Sequence, residues 1–331
     1  MGAVPPAAAT AAAVVFADQR NDSLATPIIT DGTTDRVREF PRVVLPIAAD
    51  LFSARAQRLE SLADGHAMAG YLHLLALLVR AQQRAFGARS AEPVADAALA
   101  SSRDYGMPPL SAQSHERSGV WRTDLRDILD ELRTHVVNGA AAAVNALAAL
   151  DVSELEALAD RVLAGTTLDD DAALVPFVGA ALQVYFTRLA ASLDADSVSK
   201  CDVATICPVC ATRPAASIVR ISAERQNLRY LACALCSTEW HMTRVQCSSC
   251  EAEKDLKYLT IEKEGRGPQH SAARAEACDE CKGYLKIFYQ EHDAHVEPLA
   301  DDLATLALDL LVDERGYQRS GPNLLLHPGS G

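Results

Sequence analysis

The chain has 331 residues, only 5% aromatics and a formal charge of −13. That length suits two or three domains and buries a core without disulfides. The acidic balance disfavours phosphate backbones and anionic membranes as partners.

Residues 1–40 are low in complexity and read as a mobile leader. The opening "MGAVPPAAATAAAVVFA" superficially resembles a signal peptide but lacks a basic start. It reads instead as an Ala-rich tail, and the expected compartment is the reducing cytoplasm. Residues 41–196 read as an α-helical domain of five to seven helices. "GHAMAGYLHLLALLVRAQQRAF" is apolar around most of its circumference and is expected at the centre. His66 and His73 stand seven residues apart on that stretch and are expected to be packed or exposed rather than ligands. "WRTDLRDILDELRTHVV" sets Trp121, Leu125, Ile128, Leu129, Leu132 and Val136 on one stripe. "DVSELEALADRVL" repeats the pattern, with Ser153 as a candidate cap. The run from Leu174 to Leu193 comes nearest to a membrane span. Its Pro176, Gln183 and Arg188 make it a buried helix instead, so no membrane insertion is expected.

From Ser197 the helical period fades and short β-branched runs stand beside four C-x-x-C pairs, separated by 22, 10 and 27 residues. Paired thiols in a reducing compartment point to metal or redox chemistry rather than structural disulfides. Each pair can form a knuckle with both sulfurs on one metal, and two knuckles joined by a hairpin make a four-sulfur cage. The longer gaps hold two strands and a turn; the gap of 10 suits a link between cages. One cage is then Cys207, Cys210, Cys233 and Cys236, and the other Cys247, Cys250, Cys278 and Cys281. Residues 197–244 form the first four-cysteine ribbon and 245–297 the second, whose first knuckle is 247–250. Four thiolates suit iron or zinc alike. Cys201 reads as a spectator thiol, Trp240 and Met242 as ribbon core, and His241 as a non-ligand. Between Lys200 and Glu297 there are 13 Lys and Arg against 14 Asp and Glu, so no basic face invites nucleic acid. Residues 298–331 read as a C-terminal helix and tail packing back, with Leu303, Leu306 and Leu310 as the buried stripe. There is no Gly-rich phosphate loop, H-E-x-x-H or G-x-S-x-G, and no catalytic constellation. The expected fold class is α+β: an all-α domain, then tandem rubredoxin-like or zinc-ribbon units, then a C-terminal helix.

Five segments carry a resemblance to a known family: "CPVCATRPAASIVRI", "LRYLACALCSTEWHMTRVQCSSC", "AEACDECKGYLKIFYQEHD", "VEPLADDLATLALDLL" and "GYQRSGPNLLL". With the helical segments "GHAMAGYLHLLALLVRAQQ" and "AALQVYFTRLAASL", the chain resembles the FdhE proteins over roughly residues 40–327. The resemblance implies a cytoplasmic, non-enzymatic accessory protein needed for active formate dehydrogenase, acting as a maturation chaperone. The implied partner is the catalytic subunit of that molybdenum or tungsten enzyme before export. The implied cofactor is iron in rubredoxin-like ribbons, with zinc as the alternative, held by all eight paired cysteines. A second reading is an iron redox protein passing electrons to a partner. Ala211 and Ser237 depart from the pattern, standing where rubredoxin-like knuckles usually carry Gly for a left-handed turn.

Overall fold

A computed structural model describes residues 14–16, 40–47, 49–198, 203–221, 227–261 and 267–326. Most of the expected leader, including its mobility, therefore lies outside the described residues. Val14–Phe16 does form a short strand, β1.

Seven helices follow among the described residues: α1 (Leu51–Ala63), α2 (Ala69–Gly87), α3 (Asp96–Tyr105), α4 (Val120–Leu132), α5 (Asn138–Ala149), α6 (Val152–Ala164) and α7 (Val175–Ala191). The stripe of α4 is buried as the spacing predicts: Trp121, Leu125, Ile128, Leu129 and Leu132 all face the core. The start of α6 differs from expectation. Asp151 rather than Ser153 caps it, in a reciprocal capping box with Glu154. His66 precedes α2 instead of lying on it, so the spacing to His73 carries no shared face. Its Nδ1 accepts from the Met68 N–H while Nε2 lies 3.0 Å from the Ala304 carbonyl, which fixes the tautomer.

The most enclosed helix is α7, not α2. Every residue of α7 from Phe177 to Ala190 is buried. Its polar residues are internal cross-links. Arg188 donates to both oxygens of Asp124 at 2.9 and 3.0 Å and to the Ala85 carbonyl at 2.8 Å. Gln82 on α2 donates to Gln183 at 2.8 Å. A buried guanidinium is tolerated only when paired and hydrogen-bonded in this way.

Among the described residues nine strands build one sheet, ordered β1-β6-β7-β8-β3-β4-β5-β2, with β9 also pairing to β8. The first ribbon is β3 (Pro214–Arg220), β4 (Leu228–Cys233) and β5 (Glu239–His241). The second is β6 (Leu256–Ile261), β7 (Ala273–Cys278) and β8 (Gly283–Tyr289). Both are antiparallel within themselves. They join edge to edge through a parallel pairing of β3 with β8, from Ser217↔Ile287 to Val219↔Tyr289. β2 (Val43–Val44) extends the sheet at one end and β9 (Gln318–Arg319) pairs with the start of β8. The junction is held by a buried ion pair. Arg229 on β4 donates to Glu276 on β7 at 2.8 Å and to the Gln246 carbonyl at 2.9 Å, and Tyr258 donates to the other Glu276 oxygen at 2.8 Å.

The C-terminal helix arrives in two pieces, α8 (Pro298–Ala304) and α9 (Leu306–Asp313). The Lys286 ammonium takes the Asp302 carbonyl at 2.6 Å, and the backbone turns at Thr305. The turn rotates the apolar face, so Leu303, Leu308 and Val312 are buried while Leu310 is 68% exposed. The expected stripe therefore docks only in its first half. Arg55 on α1 holds Glu297, which caps α8, at 3.0 Å; Arg58 holds Asp301 at 2.6 Å. The tail then crosses α7 so closely that a Cβ on Gly179 would lie 2.3 Å from the Leu324 carbonyl oxygen.

Candidate metal centres

The eight paired cysteines converge in two groups of four. In each group all sulfurs lie within 4.8 Å of one another. The groups are those the spacing predicts: Cys207, Cys210, Cys233 and Cys236, then Cys247, Cys250, Cys278 and Cys281. Each knuckle closes on a residue in the left-handed region: Ala211 (φ 62°), Ser237 (57°), Glu251 (62°) and Lys282 (57°). Glycine is thus absent from all four positions, and each side chain there costs roughly 1–2 kcal/mol. The turn is nevertheless made. The N–H groups of Ala211, Glu251 and Lys282 reach the carbonyls of Cys207, Cys247 and Cys278 at 2.9–3.0 Å.

Sulfur–sulfur distances are 3.5 Å for Cys207–Cys236 and 3.4 Å for Cys210–Cys233. In the second group Cys247–Cys281 is 3.7 Å and Cys250–Cys278 is 3.8 Å. Four thiolates about 2.3 Å from one ion stand about 3.8 Å apart at the corners of a tetrahedron. The second group matches that figure and the first is slightly tighter, so both donor sets fit a four-coordinate, thiophilic ion.

Donors around the sulfurs favour thiolates. The N–H groups of Leu235 and Cys236 each lie 3.3 Å from the Cys233 sulfur. The Ser249 N–H is 3.4 Å from Cys247, and that of Gly283 is 3.3 Å from Cys281. Thr212 Oγ1 sits 3.1 Å from both Cys210 and Cys233. Burial opposes ionisation and pushes the Cys207 and Cys236 thiols up. Hydrogen bonds from the neighbouring thiols overcome it at Cys233, which falls well below the usual thiol range. Cys250 is lowered in the same way against burial, by the Ala252 N–H and its neighbouring thiols.

The first centre lies between the ribbon and the helical domain. The Leu110 N–H donates to the Val209 carbonyl at 2.8 Å and the Ala112 N–H to the Cys210 carbonyl at 2.9 Å, so the loop before α4 grips the first knuckle. Gln183 on α7 donates to the Ala234 carbonyl at 2.7 Å, inside the second knuckle. Sequence reading missed this role, because Gln183 signals polarity in an apolar helix but not its target.

The remaining candidates take the places expected of bystanders. Trp240 and Met242 are buried, with the Trp240 indole donating to the Ala204 carbonyl at 2.8 Å. His241 stacks near Phe40 and Tyr230, outside both sulfur groups, and burial lowers its pKa. His73 is exposed. Cys201 lies outside the described residues. No helix among the described residues is long and apolar enough to cross a membrane.

Three family models match successive parts of the chain: the FdhE N-terminal region at residues 40–202, the FdhE central domain at 206–244 and the FdhE C-terminal domain at 245–326. The chain is 39% identical over 318 residues to an FdhE homolog of Pseudomonas putida, covering 96% of this chain and all of that one. It is 40% identical over 303 residues to an FdhE homolog of Pseudomonas aeruginosa, covering 91% and 98%. The crystal structure of the FdhE protein from Pseudomonas aeruginosa superposes with a TM-score of 0.79 at 40% identity, over 88% of this chain and all of that one. With agreement across all three regions and both sulfur groups in place, the chain belongs to the FdhE family.

Proposed function

We propose that this protein is a cytoplasmic accessory factor for the maturation of formate dehydrogenase, binding the catalytic subunit of that enzyme and turning over no small substrate. Family membership across nearly the whole described chain is the observation that supports the reading. Each four-cysteine group holds one metal ion, iron in preference to zinc. The ion gives the small ribbon a covalent centre that its own core is too thin to supply. Four sulfurs saturate a tetrahedral ion and leave no open position for a substrate. In this reading the chain divides at residues 41–196, 197–244, 245–297 and 298–331.

The test is genetic and biochemical. Deleting the gene should abolish formate oxidation while the dehydrogenase polypeptide is still made. The tagged protein should retain the catalytic subunit in a pull-down, with metal analysis on the same sample. Full formate dehydrogenase activity in the deletion strain under every growth condition would reject the reading. The exposed sulfurs of Cys250 and Cys281 favour a second reading, an iron protein that passes electrons to its partner. A reversible change in visible absorption on redox titration would support it.

A further inference from the structure

The two centres share a knuckle geometry but not an environment. Cys207, Cys210, Cys233 and Cys236 are all buried, at 0–1% exposure. In the second centre Cys247 and Cys278 are buried while Cys250 and Cys281 are exposed. These two are the second cysteines of their knuckles, so the centre is open along one face. Glu251, Glu280 and Lys282 beside them are exposed as well, and nothing described covers them.

The surroundings set different costs for opening each centre. The knuckles of the first are held by the Leu110–Val209 and Ala112–Cys210 backbone bonds and by the Gln183–Ala234 bond. Each of those ties the ribbon to the helical domain, and their loss uncovers the shared core around Ala215, Leu231 and Leu235. At the second centre the sulfurs of Cys250 and Cys281 can leave the metal and meet water without disturbing any such contact.

We propose that the second four-cysteine centre is an exchange site, taking up and releasing its metal in the folded protein through the face made by Cys250 and Cys281, while the first keeps its metal for the lifetime of the fold. The proposal rests on the metal reading above. The exchange is ligand substitution with no change of oxidation state. Donors of an incoming thiol or chelator would replace first the sulfurs of Cys250 and Cys281 and then those of Cys247 and Cys278, each proton given up by an incoming donor passing to a released thiolate. The exchange partner is thus a small thiol, a chelator or the exposed thiolates of another protein. An exposed thiolate is both the reactive form and the accessible one.

The experiment uses the full chain purified with its metal. A chromophoric pyridylazo chelator reports metal release under native conditions, while limiting iodoacetamide and peptide mass mapping report which cysteines react. One equivalent should leave in a fast phase, roughly tenfold or more ahead of the second. Cys250 and Cys281 should carry the first adducts, and helical circular dichroism should be unchanged after the fast phase. The double variant Cys250→Ser, Cys281→Ser should retain one equivalent and show the slow phase alone; retention of that metal also reports that the first centre is folded. Release of two equivalents at one rate, or adducts on the first centre no later than on the second, would overturn the proposal and leave the metal reading standing. A chain that never holds metal would overturn both.

Discussion

Asp302 is wholly buried and accepts from Arg319 at 2.7 Å and Asn323 at 2.9 Å, with the Lys286 ammonium 2.9 Å from its other oxygen. Asp309 shares both cations, at 2.5 Å from Lys286 and 3.2 Å from Arg319. Burial alone would raise the Asp302 pKa, but Arg319 and Lys286 hold it below the usual carboxylate range. Burial and the Asp302 charge instead raise that of Asp309. A carboxyl depressed in the folded state stabilises it above the unfolded pKa, about 3.9, and the contribution is lost as pH falls through the folded value. Asp309 works in the opposite sense and in the window above about 3.9, where it protonates first. The wild type should therefore lose stability below that point in an acid melt, and Asp302→Asn should flatten this limb. At neutral pH the same variant should cost about 3–5 kcal/mol, because the buried Lys286 and the half-buried Arg319 then face one carboxylate. Chemical denaturation measures that loss. The left-handed residues give the contrary prediction. Ala211→Gly removes a strained Cβ and should stabilise by up to about 1 kcal/mol, the gain being reduced by glycine's freedom in the unfolded chain. A lowered melting temperature would show that this Cβ packs favourably.

Helix α8 and strand β8 show what a local pattern conveys and where it stops. "PLADDLATLALDLLVDERG" has an unbroken helical period, and nothing within it predicts a turn at Thr305. The break is imposed from outside, by Lys286 Nζ at 2.6 Å from the Asp302 carbonyl and 3.1 Å from Thr305 Oγ1. Leu303→Ala should accordingly cost about 2–5 kcal/mol, as for a buried leucine. Leu310→Ala should stay within about 0.5 kcal/mol, as for a surface site. Equal losses in urea unfolding would mean that α8 and α9 form one continuous helix in solution. The stripe of α4 and the knuckle grouping were legible, because each depends on residues a few positions apart or on a hairpin's length. The capping of α6 was nearly so, with Asp151 two residues from the expected Ser153. The roles of Gln183 and of the loop at Leu110 were not, since their partners lie in another domain-sized segment.

Across the molecule, the ribbons act as one plate rather than two beads. The repeat of knuckle, strand, turn and knuckle was readable, but the parallel seam between β3 and β8 leaves no local signature. Neither does Arg229–Glu276, a pair 47 residues apart whose partners are each unremarkable as strand residues. Arg229→Met should leave Glu276 buried without its cation and cost about 3–5 kcal/mol. If Glu276→Gln restores much of that loss in the double variant, the pair couples directly; additive losses in thermal melts would show that it does not.

The seam between β3 and β8 also imposes an order of events during synthesis. Ser217 finds its neighbour only at Ile287, a separation of 70 residues along the chain. At about 5–20 residues per second that interval lasts about 4–14 s. Over its later part, once the first centre's last cysteine, Cys236, has been made, one edge of β3 still has no strand to pair with. An unpaired apolar edge is a template for association with other chains. The nascent first ribbon is thus closed at its sulfur end and open along its flank, and the completed sheet protects it only after the second ribbon has been translated.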